Sequence, residues 1–111
     1  MVVPSPGAVV LVHFPFSDLS QSKLRPAVVL ADADRDDWVL CQITSKPYTD
    51  VRAIQLSPSD FGTGGLRLVS YARPGKLFTA NTRLMVGQEG ILTNDAFRRI
   101  IGAVIKLLSK V

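Results

Sequence analysis

Apolar residues occur along this chain in short runs, separated by polar turns or by turns rich in glycine and proline. Short runs bounded by such turns predict β-strands. The first run is apolar on both faces of a strand apart from His13, and this is typical of a buried strand. The predicted strands are 8–14, 27–31, 38–44, 51–56 and 66–72, with shorter candidates at 76–79 and 84–86.

The segments between these runs have the composition of loops. Residues 15–24 are rich in small polar side chains and predict a long exposed loop, a kind of segment that often carries function. Residues 32–37 predict a polar turn, and residues 57–65 predict a second loop. Pro74 and Gly75 interrupt the later strands, so we expect a bulge or a sharp bend there.

The apolar period changes to helical spacing near the end of the chain and predicts a helix over residues 94–109. Thr93 is a suitable N-cap, and Asp95 suits the first helical turn. Many short strands and one helix predict a mostly β domain that spans residues 1–111, with the helix packed against a small, partly open barrel. The helix could equally cover a subunit interface.

Cysteine content and hydropathy indicate a cytoplasmic protein. Cys41 is the only cysteine, so the chain has no intrachain disulfide, and we expect this thiol to be buried and inert. No apolar run approaches the ~18 residues that cross a bilayer, and the N-terminus does not resemble a signal peptide. We therefore expect no membrane association.

The positive charge is concentrated in the second part of the chain. The net charge is +4; residues 1–37 hold three basic and five acidic side chains, whereas residues 38–111 hold ten basic and four acidic ones. This distribution favours a polyanion, or an acidic protein segment, as partner.

Common metal-binding and catalytic patterns are absent. The acidic turn has the aspartate spacing of a calcium loop, but Asp37 stands where glycine is required and Ile43 where glutamate is required. One cysteine and one histidine cannot form a zinc cluster. The only histidine, His13, and the only glutamate, Glu89, leave no convincing triad or carboxylate pair. We expect neither a metal nor a cofactor.

Arginine and hydroxyl groups beside the long loop remain as candidates. Arg25 lies where this loop meets a buried strand, and Thr44 ends the third predicted strand, so adjacent strands could bring the two side chains together. A guanidinium matches the oxygens of a phosphate, and a hydroxyl can hold a further oxygen or a ribose 2′-hydroxyl. The pair predicts phosphodiester recognition and stabilisation of a more highly charged transition state.

Several segments resemble PemK/MazF-type toxins, in order and over nearly the whole chain. The N-terminal signature of these toxins is matched by GAVVLVHFPFSD at residues 7–18 and KLRPAVVL at 23–30. Their Ile-Thr-Ser segment is matched by QITS at 42–45. The similarity continues through KLFT at 76–79 and Gly87-Gln88 before the terminal helix.

The resemblance implies an SH3-like barrel, a homodimer and a labile antitoxin protein that neutralises the toxin. It also implies a metal-independent endoribonuclease that cuts single-stranded mRNA and leaves a 2′,3′-cyclic phosphate and a 5′-hydroxyl. In the family, the arginine that matches Arg25 contacts the scissile phosphate and is assigned proton transfer. The threonine that matches Thr44 orients the attacking 2′-hydroxyl. Further candidate contacts to RNA are Ser45, Lys46, Arg73 and Phe16.

Two departures from the family keep alternatives open. Some relatives have an acidic residue where Gly75 stands, and some have a histidine or glutamate in the loop that corresponds to residues 17–24, which has neither. The alternatives are a non-catalytic toxin of the same fold that binds a protein such as DNA gyrase, and an inactive family member. The presence of Arg25 and Thr44 favours the ribonuclease.

Overall fold

Seven strands and one α-helix make up the chain within residues 2–15 and 22–110, the part that the computed structural model describes. The sheet is antiparallel throughout, with the strand order β4-β6-β3-β2-β1-β7-β5. The expected mostly β fold with one C-terminal helix is confirmed. The elements are β1 (Ala8–Pro15), β2 (Ser22–Asp32), β3 (Asp37–Thr44), β4 (Ile54–Leu56), β5 (Phe61–Gly64), β6 (Ser70–Asn81), β7 (Met85–Leu92) and α1 (Asn94–Leu108).

The middle parts of the central strands β1, β2 and β3 have buried residues on both faces, which explains the continuous apolar runs in β1 and β2. The sheet forms a half-barrel, and helix α1 packs on one of its faces. Residues of the helix, of the central strands and of the edge strands together form the core on that face. The core on the helix face contains Val9, Val28, Leu30, Cys41, Ile43, Leu56, Ala72, Leu92, Ala96, Ile100 and Val104. The core on the other face contains Ala8, Val10, Val12, Ala27, Val29, Leu40, Ala80 and Met85.

Helix α1 begins and ends close to the predicted bounds. The Thr93 hydroxyl accepts a hydrogen bond from the Ala96 N–H at 3.2 Å, so the predicted N-cap is confirmed. Ala96, Ile100 and Val104 lie one helical turn apart and are buried, which accounts for the helical spacing of the apolar residues. Within the described part of the chain, no helix combines the length and the apolarity that a membrane span requires.

The strands next to the two predicted loops differ from the sequence-based expectation. Strand β2 begins at Ser22, so the end of the predicted loop 15–24 is strand and the predicted strand 27–31 was too short. The predicted strand 51–56 is shortened to Ile54–Leu56, because turn hydrogen bonds occupy the preceding residues. The predicted loop 57–65 contains a strand, Phe61–Gly64, which pairs with β7. The sequence did not predict this strand because two of its four residues are glycines, which have a low strand propensity.

Strand β6 is longer than expected and runs through Pro74 and Gly75. It begins at Ser70, so the predicted strand 66–72 was placed too early, and it continues to Asn81. Between the pairs Cys41–Leu77 and Ile43–Ala72, β3 advances two residues while β6 advances five. The expected bulge at the proline is therefore confirmed, although the strand does not end there.

The structure also shows the surroundings of Cys41 and of the acidic turn. Cys41 is fully buried, and this burial raises the pKa of its thiol to about 12. In the acidic turn, the carboxylate of Asp32 accepts a hydrogen bond from the Asp34 N–H at 2.7 Å and so stabilises the turn. Among the described residues, no group of three or more His, Cys, Asp or Glu is arranged to hold a metal ion.

Candidate active site

Strand pairing brings Arg25 and Thr44 to the same place on one face of the sheet. The ladder between β2 and β3 ends at the pair Ala27–Gln42, and the same register continued by two residues on each strand places Arg25 opposite Thr44. Residues opposite one another in an antiparallel pair have side chains on the same face, about 5 Å apart at Cβ. On the outer sides, Arg25 pairs with Val12 and Thr44 pairs with Tyr71.

Two cavities meet at this pair of residues. The larger one, of about 660 Å³, is called the basic cavity here and is lined by Phe14, Lys23, Arg25, Gln42, Thr44, Ser45, Lys46, Tyr48 and Arg73. The smaller one, of about 290 Å³, is called the apolar cavity and is lined by Leu11, Leu24, Arg25, Pro26, Ile43, Thr44, Ser45, Leu66, Arg67, Leu68, Ser70 and Glu89. Arg25, Thr44 and Ser45 line both cavities.

The basic cavity collects most of the residues singled out from the sequence. Ser45, Lys46 and Arg73 line it together with Arg25 and Thr44. The remaining candidate, Phe16, lies outside the described residues. The side chains meet here although they come from β2, β3, β6 and the turn after β3.

Sequence reasoning missed Phe14, Lys23 and Gln42, which also line the basic cavity. The signal that could have found them is the two-residue period of a strand. Lys23 lies two residues before Arg25 on β2, and Gln42 lies two residues before Thr44 on β3, so each shares a face with a candidate. Phe14 pairs with Lys23 across β1 and β2.

Four basic side chains give the basic cavity its electrostatic character: Lys23, Arg25, Lys46 and Arg73. A concave surface lined by one sign of charge concentrates the field and attracts ligands of the opposite sign. The polar and cationic lining therefore suits a phosphate-bearing ligand better than an apolar one.

The hydroxyl of Thr44 is oriented by the turn that follows β3. Its oxygen accepts a hydrogen bond from the Lys46 N–H at 3.1 Å, and its O–H donates to the Lys46 carbonyl at 3.4 Å. The first contact fixes the oxygen, while the second is long for an O–H···O bond. A ligand oxygen that approaches more closely can therefore replace the Lys46 carbonyl as the acceptor of the hydrogen bond from this hydroxyl.

Arg73 is held in the cavity wall by two side chains. Its Nε donates to Oδ2 of Asp50 at 2.7 Å, and its Nη1 donates to Oε1 of Gln42 at 3.4 Å. The hydrogen bond from Arg73 holds the pKa of Asp50 below its ordinary value, against a smaller opposing effect of burial. Since the side chains of Arg73 and Asp50 are only 26% and 15% exposed, the pair is partly shielded from water.

The ion pair leads to a prediction about acid stability. We expect Asp50→Asn to lower the free energy of unfolding at pH 7 by about 0.5–1 kcal/mol. Oδ1 of Asp50 accepts a hydrogen bond from the Arg52 N–H at 3.0 Å. Asparagine keeps an oxygen that can accept this hydrogen bond, so the substitution mainly removes the charge.

The pH dependence of this difference follows from the lowered pKa of Asp50. Above pH ~5 the carboxylate is ionised in the folded and the unfolded chain, so its stabilisation is complete there. As the pH falls below about 4, the unfolded chain takes up the proton first and the stabilisation is lost. Urea unfolding of both proteins at pH 7 and pH 3 should show the gap closing in acid. An equal gap at both pH values would contradict this role.

Comparisons with known proteins give a consistent match. The family described as PemK-like, MazF-like toxin of type II toxin–antitoxin system matches residues 5–108. MazF from Deinococcus radiodurans superposes with a TM-score of 0.73 at 22% identity, covering 99% of this chain and 100% of that one. An endoribonuclease in complex with its cognate antitoxin from a mycobacterial species has a TM-score of 0.72 at 17% identity, covering 97% and 95%. No curated protein sequence matches the chain.

Proposed function

The chain belongs to the PemK-like, MazF-like toxins of type II toxin–antitoxin systems, and from this premise we propose that it is an endoribonuclease that cuts single-stranded mRNA. The observation that carries the proposal is that Arg25 and Thr44 both line the two cavities that meet at this end of β2 and β3. The similar folds described as endoribonucleases support it.

In the proposed reaction, Arg25 and Thr44 have complementary roles. The guanidinium of Arg25 binds the non-bridging oxygens of the scissile phosphate and stabilises the charge of the pentacoordinate transition state. The hydroxyl of Thr44 orients the ribose 2′-hydroxyl. The 2′-oxygen gives its proton to water and bonds to phosphorus, the bond to the 5′-oxygen breaks, and the 5′-oxygen takes a proton from water, so the proton count is unchanged. The products are a 2′,3′-cyclic phosphate and a 5′-hydroxyl.

We assign RNA binding to Ser45, Lys46 and Arg73, with Phe16 as a stacking residue. Ser45 lines both cavities, and Lys46 and Arg73 add positive charge to the basic cavity. These cations supply the charge that a bound metal ion supplies in other nucleases, so the proposed reaction needs neither a metal nor another cofactor.

Gly75 bears on the alternative of an inactive family member. It lines a third cavity beside the basic cavity and is absent from the linings of the two cavities at Arg25 and Thr44. A Cβ atom at Gly75 would meet no atom within 4 Å, so the position has room for the acidic side chain of some relatives. The proposed phosphate site is therefore built from residues other than Gly75.

We also propose a homodimer in the cytoplasm, neutralised by a cognate antitoxin protein. Apolar side chains are exposed at several places and would be buried by partners, including Leu24 and Leu68 at the apolar cavity. Arg25 and Arg67 outnumber Glu89 in its lining, and the resulting positive charge suits an acidic antitoxin segment. Two of the similar structures support an antitoxin partner: a MazE–MazF complex from Deinococcus radiodurans and the mycobacterial complex.

The proposal is tested by incubating the purified protein with a long single-stranded RNA in excess EDTA. We expect cleavage at discrete sites, with cyclic phosphate and 5′-hydroxyl ends identified by mass spectrometry of the fragments. A DNA of the same sequence serves as the control, because it lacks the 2′-hydroxyl. Intact RNA after prolonged incubation would overturn the ribonuclease. If such a protein still arrested growth, the non-catalytic alternative would be supported.

A further inference from the structure

Tyr48 occupies an unusual position for an aromatic residue. Its side chain is 86% exposed, and its backbone has a φ of +54°, in the left-handed region. A bulky side chain is rare in that region and adds strain, while an exposed ring contributes little apolar burial. The fold therefore gains little from a tyrosine at this position.

The backbone around Tyr48 is fixed by Asp50. The Asp50 N–H donates to the Pro47 carbonyl at 3.0 Å, and the Asp50 carbonyl accepts from the Ala53 N–H at 3.2 Å. The Asp50 carboxylate joins this turn to Arg73 of β6 at 2.7 Å. The ring of Tyr48 is thus carried by an anchored turn, which lowers the entropy cost of ligand binding.

Tyr48 also lies between two cavities. It lines the basic cavity, together with Arg25 and Thr44, and a third cavity of about 360 Å³ that we call the side cavity. Arg73 is shared by the same two cavities. The side cavity adds Arg52 and Lys76 to the positive charges around the ring. A polyanion that passes from Arg25 to Lys76 would therefore meet Tyr48 on its path.

We propose that Tyr48 is a nucleobase-stacking residue, which receives a base of the single-stranded RNA adjacent to the scissile phosphate. Lys46 and Arg73 contact the backbone phosphates on either side of that base. Exposed aromatic side chains interleaved with cations are the usual means of binding single strands, because every base has a π-face. The inference rests on the proposed function and extends it, since it names a base subsite beside the scissile phosphate.

The test compares Tyr48→Asn with Tyr48→Phe. Asparagine removes the ring but tolerates the left-handed backbone, whereas phenylalanine keeps the ring. Binding is measured by fluorescence anisotropy with a labelled single-stranded DNA of mixed sequence, and cleavage kinetics are measured with RNA. We expect Tyr48→Asn to weaken binding by about 5- to 150-fold, the change that corresponds to ~1–3 kcal/mol per stacked base. Tyr48→Phe should stay within about two-fold.

Val86→Ala is the matched control, because Val86 is 51% exposed on β7 and lines neither the basic cavity nor the side cavity. It should leave binding and cleavage unchanged, and thermal unfolding should show that Tyr48→Asn is no less stable than the parent. Equal binding and KM in Tyr48→Asn and the parent would overturn the stacking and leave the ribonuclease standing. The same result with a loss of antitoxin neutralisation would assign Tyr48 to a protein interface and also overturn it. A parent that neither binds nor cuts RNA would remove both proposals.

Discussion

Arg25→Ala is expected to reduce the rate of RNA cleavage by at least about 10²-fold, the usual loss when a donor to a transition-state oxyanion is removed. The loss follows from geometry, because Arg25 lies beside Thr44 and lines both cavities at the point proposed for the phosphate. Since the stabilised charge develops only in the transition state, the loss should fall mainly on kcat. Single-turnover cleavage with excess protein measures it directly.

Two variants separate this role from simple loss of positive charge. Arg98→Ala removes the same charge from an exposed position on α1, away from the basic cavity, and should cut RNA at the parental rate. Arg25→Lys keeps the charge but loses the planar fork, so we expect an intermediate rate. Undiminished cleavage by Arg25→Ala, with circular dichroism showing a native fold, would refute the assignment.

Sequence patterns predicted the parts of the fold whose residues are uniformly apolar or periodic. Strands β1 and β3 and helix α1 agree with their predicted bounds to within one residue, because burial on both faces or along one stripe leaves a strong signal. Strand β5 was missed because Gly62 and Gly64 carry no side chain to signal a strand. Strand β5 is held by its pairing with β7. The two strands are so close that a Cβ on Gly90 of β7 would lie 2.5 Å from the Thr63 carbonyl oxygen. Such a close approach cannot be read from local composition.

The candidate site was predictable only for residues that lie on strands consecutive in the sequence. Arg25 and Thr44 could be paired in advance because β2 and β3 are consecutive and antiparallel. The setting of Arg73 could not, since its partners Gln42 and Asp50 are 31 and 23 residues away. Its contacts depend on the pairing of β6 with β3, although β4 and β5 lie between these strands in the sequence, and on the bulge at Pro74. No local sequence pattern indicates that β6 pairs with β3.

Ile100→Ala should lower the free energy of unfolding by about 2–5 kcal/mol, the range observed when a large buried aliphatic side chain is removed. Ile100 is fully buried in the core on the helix face, together with Val28, Cys41 and Ile43. Those three residues lie on the reverse side of the strands that carry Arg25 and Thr44. Helix α1 contacts β6 and β4, and β6 pairs with β3 and carries Arg73. The cavity left by the substitution would therefore weaken the support of the strand that supplies Arg73 to the basic cavity.

Ile105→Ala provides a control on the same helix, because Ile105 is 58% exposed and the same atoms are removed. We expect it to change the free energy of unfolding by less than about 0.5 kcal/mol. Urea denaturation of both variants at one protein concentration measures the difference, and the fixed concentration prevents any self-association from shifting the comparison. Equal losses in the two variants would mean that α1 is not packed through its Ala96–Ile100–Val104 stripe. Strand β6, which carries Arg73, would then lack the packing against α1 on which its position in the basic cavity depends.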